Sequence, residues 1–102
     1  MTSPFAANFT PDDAAVLAGQ LWVLADPARL RIIHLLAVRG AMANRDLEGP
    51  IGLTQPTISH HVRILREAGL IVSTQDGHCI LRELDRAALR KLALAIDPAV
   101  RR

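Results

Sequence analysis

Tyrosine is absent from this sequence, and one Trp and two Phe bring the aromatic fraction to only 3%. The hydrophobic residues, 50% of the chain, are therefore mostly aliphatic. The sequence also lacks a glycine-rich phosphate loop and any plausible array of nucleophile, base and orienting group. These absences argue against an enzyme and favour a small helical domain rich in Leu, Ile and Ala.

Cysteine is nearly absent too, since Cys79 is the only one. No disulfide can form within the chain, which favours a reducing, cytoplasmic setting. The N-terminus has no positive segment followed by an apolar core, so we expect no signal peptide. No apolar run approaches the roughly 18 residues that span a bilayer, and the sequence predicts no membrane segment.

Lysine is equally scarce, because Lys91 is the only one among 12 basic residues. The other basic residues are arginines, whose planar guanidinium groups suit two-point contacts to phosphate or guanine. The formal net charge is only +2, and a solvated basic surface would give the same composition. Charge therefore allows a nucleic-acid partner without identifying one.

The length of 102 residues predicts one compact domain. Residues 1–9 show no hydrophobic periodicity and predict a flexible N-terminal arm. The domain then covers residues 10–97, and residues 98–102 form a C-terminal tail.

Residues 53–70 combine a helix start, an amphipathic helix and a helix stop. Thr54 can cap the helix, Pro56 fits its first turn, and Gly69 fits the left-handed position after it. At about 100° per residue, one face is apolar and the other is polar. The apolar face holds Ile58, His61, Val62, Leu65 and Ala68; the polar face holds Gln55, Ser59, His60, Arg63, Arg66 and Glu67. We interpret this segment as a DNA-recognition helix.

Two more helix starts precede this segment. Thr10 followed by Pro11 predicts a first helix over residues 11–25, with Val16 and Trp22 lying beside its apolar seam. These flanking residues predict contact with another chain.

Asp26 followed by Pro27 opens a second helix that ends near Gly40. More than half of its circumference is apolar, so we expect it to be the central core helix. His34 within it is expected to be a hydrogen-bonded core histidine rather than a ligand.

Residues 41–48 predict a short third helix, and the turn over residues 49–52 leads into the recognition helix. A helix, a glycine-containing turn and a second helix with an exposed polar face form the helix-turn-helix pattern. Many helical hairpins share this pattern.

After Gly69 the hydrophobic period changes to that of strands, with β-rich runs at residues 70–75 and 78–84. Asp76 and Gly77 between them predict a type I′ hairpin. A hairpin directly after a recognition helix is a wing; the alternative is a hairpin that only caps the core. The wing residues that could contact DNA phosphates are Gln75, His78 and Arg82.

Asp85 is expected to cap a last helix from Arg86 to about Ile96. Because this last helix is so apolar, another surface must cover it. Together with the flanking face of the first helix, the last helix predicts a two-fold dimer interface. The predicted interface residues are Leu17, Leu21, Leu89, Leu92, Ala93 and Ile96. The order α-α-α-α-β-β-α then predicts a mainly α winged helix-turn-helix with a small β-hairpin.

Three segments resemble the ArsR/SmtB-type winged helix-turn-helix regulators of bacteria: residues 24–32, residues 53–70 and the Asp76-Gly77 wing. The resemblance covers about residues 14–96. It implies a cytoplasmic homodimer that binds double-stranded DNA at a palindromic operator, with two recognition helices in successive major grooves. The centres of the two half-sites would then lie roughly 34–36 Å apart.

The resemblance also implies metal sensing, but the sequence departs from both common sites of the family. One site needs a Cys-x-Cys pair in the third helix, where residues 43–47 contain no cysteine. The other needs an Asp-x-His early in the last helix and further histidines near its end. Asp85 keeps the aspartate, whereas residues 92–102 contain no histidine.

An unusual site for nickel or zinc would need three or four converging ligands. Adjacent residues point apart on a regular helix or strand, which makes the paired donors of this sequence poor chelators. The metal ligands therefore stay unknown. The available donors are His34, His60, His61, His78 and Cys79.

The candidate DNA contacts on the recognition helix are Thr54, Gln55, Thr57, Ser59, His60 and Arg63. Gln55 could address adenine and Arg63 guanine, while Thr54 and Ser59 suit phosphates. The favoured function is a sequence-specific transcriptional regulator, controlled by a metal ion or a partner protein. The alternative is a winged-helix interaction module whose partner subunit, a protein co-regulator, does the sensing.

Overall fold

The computed structural model describes residues 9–99, so the predicted arm and tail lie almost entirely outside it. Within this range, five helices and three strands confirm a mainly helical winged helix-turn-helix, with one strand more than the sequence predicted. No helix among these residues is long and apolar enough to cross a membrane. The elements are α1 (Pro11–Leu24), α2 (Pro27–Arg39), β1 (Met42–Ala43), α3 (Asn44–Ile51), α4 (Gln55–Glu67), β2 (Ile71–Asp76), β3 (Cys79–Leu84) and α5 (Arg86–Ile96).

Three helices begin at the capping residues that the sequence indicated. The amide of Asp13 donates to Thr10 Oγ1 at 3.1 Å and the amide of Thr10 donates to Asp13 Oδ2 at 3.0 Å, which forms a capping box at α1. Asp26 and Asp85 accept amide hydrogen bonds of 3.0 Å at the starts of α2 and α5. Local hydrogen bonds of this kind stabilise each helix start by about 1 kcal/mol.

Helix α2 packs against α1, α3, α4 and β3, which agrees with its predicted central place, but it buries one face rather than most of its circumference. Its buried residues are Arg29, Ile32 and Leu36, whereas Val38 is 68% exposed. His34 is also exposed, which contradicts its expected place in the core. Because no neighbouring element within residues 9–99 covers this outer face, its apolar residues stay in contact with solvent.

The third helix begins and ends later than predicted. Met42 and Ala43 form the short strand β1, which pairs antiparallel with β3 through Met42↔Arg82 and Ala43↔Leu81. Helix α3 then runs through Pro50 to Ile51 and ends at Gly52, whose φ of 79° is left-handed. Pro50 lies in the last turn, has no amide to donate, and accepts a hydrogen bond of 2.7 Å from the Arg31 guanidinium at its carbonyl oxygen. The predicted turn over residues 49–52 is therefore mostly helical.

The β2–β3 hairpin, which we call the wing, turns one residue later than expected. Asp76 pairs with Cys79, so Gly77 and His78 form the two-residue turn. Gly77 has a φ of 61°, and no non-glycine residue in the described range has a positive φ. This pattern matches a type II′ turn rather than the predicted type I′ turn. The sheet order is β1-β3-β2.

The core lies where α2, α3 and α4 meet the start of the sheet. Burial of such aliphatic side chains contributes about 1.5–3 kcal/mol each. This packing fixes the recognition helix α4 from below and leaves its opposite side in solvent. The largest fully buried side chains are Ile32, Leu36, Leu47, Ile58, Val62, Leu65, Leu70 and Ile71.

Candidate nucleic-acid interface

Helix α4 has the two faces that its sequence predicted. Ile58, Val62 and Leu65 are buried, whereas Gln55, His60 and Arg63 are exposed. The helix ends as expected: the amide of Leu70 donates to the carbonyl of Leu65 and that of Gly69 to Arg66, both at 3.0 Å. These two bonds form a Schellman motif and need the left-handed φ of 76° at Gly69. A rigid helix thus presents a polar face to solvent.

The start of α4 departs from prediction in one respect. Thr54 is the N-cap residue, but its hydroxyl lies 3.3 Å from Thr57 Oγ1 instead of capping a backbone amide. Pro56 lies within the first turn and has no amide to donate. The remaining first-turn amides, at the positive end of the helix dipole, are therefore available to an anionic oxygen from outside the chain.

Ser59 lies deeper than a freely exposed contact residue. Its hydroxyl accepts a bond of 3.1 Å from Gln55 Nε2 and one of 3.3 Å from Asn44 Nδ2. These contacts place Gln55 against its own helix and join α4 to the start of α3. Asn44 was missed by sequence reasoning, because its partner lies 15 residues away. A DNA base that took the amide of Gln55 would have to replace the bond to Ser59.

His60 and Arg63 lie together on the exposed face, with Arg63 Nη2 3.3 Å from His60 Nδ1. His61 faces the other way and is largely buried. The two imidazole rings are tilted by 54°, with centroids 5.9 Å apart. The structure thus confirms His61 as a packing residue and places His60 in solvent, whereas contact between His60 and DNA stays a prediction.

His61 belongs to a buried polar cluster that sequence reasoning did not find. Arg29, only 9% exposed, donates from Nε to the carbonyl oxygen of Val23 at 2.6 Å, and its Nη1 lies 3.2 Å from His61 Nδ1. Asp26 Oδ2 lies 4.0 Å from the same ring nitrogen. Arg29 therefore joins the end of α1 and the start of α2 to the recognition helix. No local pattern indicates such a contact across 32 residues.

The electrostatics of this cluster favour a neutral imidazole. Burial lowers the pKa of His61 from its ordinary value of 6.5; the negative charge of Asp26 opposes this effect, and the positive charge of Arg29 adds to it. The backbone amide of Arg29 lowers the pKa of Asp26. A neutral His61 can accept the Arg29 hydrogen bond at Nδ1, which places its own proton on Nε2.

The three predicted wing residues occupy different positions. His78 is exposed in the turn, and Gln75 folds back so that its Nε2 donates to the carbonyl oxygen of Gly77 at 2.7 Å. Arg82 is half-buried at the base of the wing. Its Nε donates to Asn44 Oδ1 at 3.1 Å, and its Nη1 donates to Ser73 Oγ. Of these three residues, only His78 lies at the wing tip without a hydrogen bond from its side chain to the rest of the described chain.

The predicted dimer residues also divide into two groups. Leu17 and Leu92 are buried within the chain and Leu89 packs against its core, so they offer little surface to a second copy. Leu21, Ala93 and Ile96 are exposed. Val16 and Trp22, which flank the seam of α1, are 63% and 72% exposed. The apolar surface that remains uncovered thus lies on the outside of α1 and at the end of α5.

One hydrogen bond joins this surface to the recognition helix. Gln20 on α1 donates from Nε2 to the carbonyl oxygen of Ala68 at 3.1 Å. Ala68 is the C-cap residue of α4. The bond spans 48 residues of sequence and links α1 to the end of the helix that faces solvent.

The potential metal donors do not form a site. No group of three or more His, Cys, Asp or Glu residues that could hold a metal ion occurs between residues 9 and 99. His61 is engaged by Arg29, Asp85 caps α5, and Cys79 Sγ lies 3.4 Å from Arg45 Nη2. His34, His60 and His78 are exposed on three separate elements. These residues do not fit a resident metal ion.

Comparison with known proteins agrees with the fold and the helix-turn-helix. The family model described as bacterial regulatory protein, arsR family, matches residues 26–73. The arsenical resistance operon repressor of Escherichia coli is 35% identical over 79 residues, 78% of this chain and 68% of that protein. The transcriptional regulator NmtR of Mycobacterium tuberculosis is 39% identical over 71 residues, 70% of this chain.

The chain spans just over half of some relatives, namely 58% of NmtR and 58% of a regulator from Methanocaldococcus jannaschii. A solved structure from Mycobacterium bovis, described as a homodimeric winged helix-turn-helix DNA-binding domain, matches with a TM-score of 0.71. It is 26% identical, and the match covers 88% of this chain and 86% of that one. On these matches, the chain belongs to the arsR family of bacterial regulatory proteins.

Proposed function

We propose that this protein is a sequence-specific DNA-binding transcriptional regulator that acts as a homodimer on a palindromic operator in the cytoplasm. The observation that carries the proposal is the exposed polar face of α4, which the buried Ile58, Val62 and Leu65 hold in a fixed orientation. A helix of this kind fits the major groove of B-DNA, where the edges of all four base pairs can be distinguished.

The side chains of α4 suit separate parts of this task. Arg63 is exposed and can form a bidentate pair with guanine, and Gln55 can form one with adenine. Ser59 lies lower and suits a backbone or positioning role. The first turn, with Thr54 and Thr57, suits a phosphate oxygen because no side-chain hydrogen bond caps its amides. His60 supports Arg63 from the same face.

Dimerisation would supply the second recognition helix, which binds the other half-site of the operator. A second copy that packed against α1 and α5 would bury the uncovered apolar residues of α1 and the exposed Ile96 of α5. The related domain from M. bovis is described as homodimeric. A two-fold dimer would place its recognition helices about 34–36 Å apart, which requires an operator with matching half-sites.

A titration of the purified protein against palindromic DNA from its own promoter tests the proposal. The expected result is binding at least about 10³-fold tighter than to a scrambled duplex, with one dimer bound per operator. Moving the half-sites apart by half a helical turn should weaken binding, since the two helices could no longer reach both grooves. Equal affinity for the palindrome and the scrambled duplex would contradict sequence-specific regulation.

The input to this regulator is a separate part of the proposal. Because the described donors do not fit a resident metal, control by nickel or zinc would require ligands beyond these residues or from a second copy. Repeating the titration with each metal measures the coupling free energy between metal and DNA. A shift in operator affinity would establish metal control, whereas unchanged affinity would favour a protein co-regulator.

A second candidate function is favoured by the outer face of α2. Leu30 and Val38 are exposed there beside His34, and this face is separate from α4. Such a surface suits a winged-helix interaction module that binds a sensing subunit. The DNA titration separates the two functions, because an interaction module would bind DNA weakly and lose that binding with added salt.

A further inference from the structure

A cleft of about 340 Å³ lies between the recognition helix α4 and the wing. Three arginines line it, two from α4 and one from β3, together with two hydroxyls and one amide side chain. None of the lining residues in the described part of the chain is acidic. The residues that line the cleft are Asn44, Ser59, Val62, Arg63, Arg66, Ser73, Ile80 and Arg82.

Arg82 forms the floor of this cleft and is held from two sides. Its Nε donates to Asn44 Oδ1 at 3.1 Å, and its Nη1 donates to Ser73 Oγ on the neighbouring strand. Asn44 in turn donates to Ser59 on α4 at 3.3 Å. The guanidinium is therefore fixed relative to both walls of the cleft, and fixing a planar donor in advance lowers the entropy cost of binding an anion.

The charge in the cleft is not neutralised within the described chain. Neither Arg66 nor Arg82 forms an ion pair with a carboxylate among residues 9–99. Burial lowers the pKa of Arg82, and the positive charge of Arg66 lowers it further. The positive charges of the exposed Arg66 and the half-buried Arg82 thus repel each other, and an anion between them would relieve this repulsion.

We propose that this cleft binds one phosphodiester group of the DNA backbone, with Arg66 and Arg82 donating to its anionic oxygens. The assignment rests on the DNA-binding function proposed above; it adds Arg66 to the candidate contacts of α4 and places it on the same phosphate as Arg82. The guanidinium fork matches a phosphate oxyanion, and the nearby hydroxyl of Ser73 supplies a further donor.

This assignment also joins the wing to α4 through the bound phosphate. A phosphate held by Arg66 on α4 and by Arg82 on β3 would bridge the two elements that form the cleft walls. The angle between the wing and α4 would then be fixed in the complex. Contacts to phosphates of this kind set the register of a protein on DNA without reading sequence.

The test measures operator binding over a range of salt concentrations for wild type, Arg66→Met and Arg82→Met. Each variant is expected to bind about tenfold or more weakly at each half-site, the loss of one charged hydrogen bond. The slope of log affinity against log salt should fall by about 0.9 for each half-site. Arg39→Met, on the exposed end of α2, is the matched control and should leave the slope unchanged.

A scan with methylphosphonates, which remove the charge of one DNA phosphate at a time, identifies the occupant. One position in each half-site should weaken wild-type binding, and its effect should be smaller in Arg66→Met or Arg82→Met, where one of the two donors to that phosphate is already lost. Inorganic phosphate at constant ionic strength distinguishes a free anion from the backbone. If it competes with DNA only in wild type, it enters the same cleft and supports the assignment.

Three results would overturn the assignment. The first is a pair of variants with unchanged salt slopes, and the second is a scan with no position that depends on Arg66. The third is an inorganic phosphate site whose occupation leaves DNA affinity unchanged. Arg66 is exposed, so Arg66→Met should leave the protein folded. This variant therefore tests the assignment even if Arg82→Met misfolds. Wild type that binds DNA without sequence preference would instead contradict the function proposed above.

Discussion

The exposed face of α4 and the exposed face of α1 are both open to solvent, but their chemistry is opposite. Helix α4 presents Gln55, His60 and Arg63, whose polar groups water satisfies in the free protein. Helix α1 presents Val16 and Trp22, whose apolar surface is unfavourable in water. The comparison teaches that exposure alone says little about a partner. The kind of group exposed distinguishes a surface suited to nucleic acid from one suited to protein.

The two faces also differ in how they are held. Beneath α4 lie fully buried aliphatic residues and the Arg29–His61 contact, which leave the helix little freedom. Helix α1 buries only Leu17 and Val23. A surface that reads base edges needs fixed geometry, whereas an apolar interface gains its stability mainly from buried area.

The largest effect is expected from breaking the support of α4. Leu65→Ala removes a fully buried side chain and should lower the free energy of unfolding by about 2–5 kcal/mol. Leu30→Ala is the matched control, because Leu30 is 51% exposed on α2. It should cost about 0.5 kcal/mol or less. Denaturant unfolding measures both, and similar losses would contradict the described core.

The apolar face of α1 can be tested in the same way. Trp22→Ala should weaken self-association by about 2 kcal/mol, as expected for a large aromatic residue at the centre of an interface. Sedimentation equilibrium measures this change. Val38→Ala, an exposed apolar residue on α2, should leave the association constant unchanged. If the two variants associate equally well, the dimer forms through another surface.

A substitution on the polar face of α4 should change DNA affinity without changing the stability of the fold. Arg63→Ala is expected to weaken operator binding by about 1–3 kcal/mol per half-site and to relax the preference at the base pair it contacts. Its thermal stability should stay near that of wild type, since Arg63 is exposed. An unchanged affinity and salt slope in a binding titration would refute a base contact by this residue.

The smallest effect concerns the acid dependence of stability. Because the folded pKa of His61 is lowered from 6.5, the unfolded chain takes up the proton first as the pH falls. The free energy of unfolding should therefore decline below about pH 6.5 until the pH passes the folded pKa. Asp26 adds a separate loss at lower pH, below its ordinary value of 3.8. Unfolding measured from pH 8 to 5 should show a weaker decline in His61→Gln.

The parts of the fold that were predicted correctly depend on neighbours in sequence. The caps at Thr10, Asp26 and Asp85 bond to amides three residues away, and Gly69 closes the helix that precedes it. The two faces of α4 follow from helical periodicity alone. Such features need no knowledge of the rest of the chain.

The errors and omissions arise from contacts between distant residues. Strand β1 is defined by the backbone pairing of Met42 with Arg82 on β3. A strand of two residues is too short to show an alternating hydrophobic pattern in the sequence. The Asn44–Arg82 bond spans 38 residues, so no local pattern in the sequence indicates that Arg82 is held at the base of the wing. His34 was misplaced because an apolar pattern does not reveal which face of a helix lacks a covering element.

The Gln20–Ala68 hydrogen bond gives the proposed dimer a mechanical property. If two copies meet through α1, each α1 is tied by this bond to the end of a recognition helix in its own chain. A shift of α1 against the core must then either break the bond or drag the end of α4 with it. The distance between the two α4 helices would then depend on how the two α1 helices pack at the dimer contact.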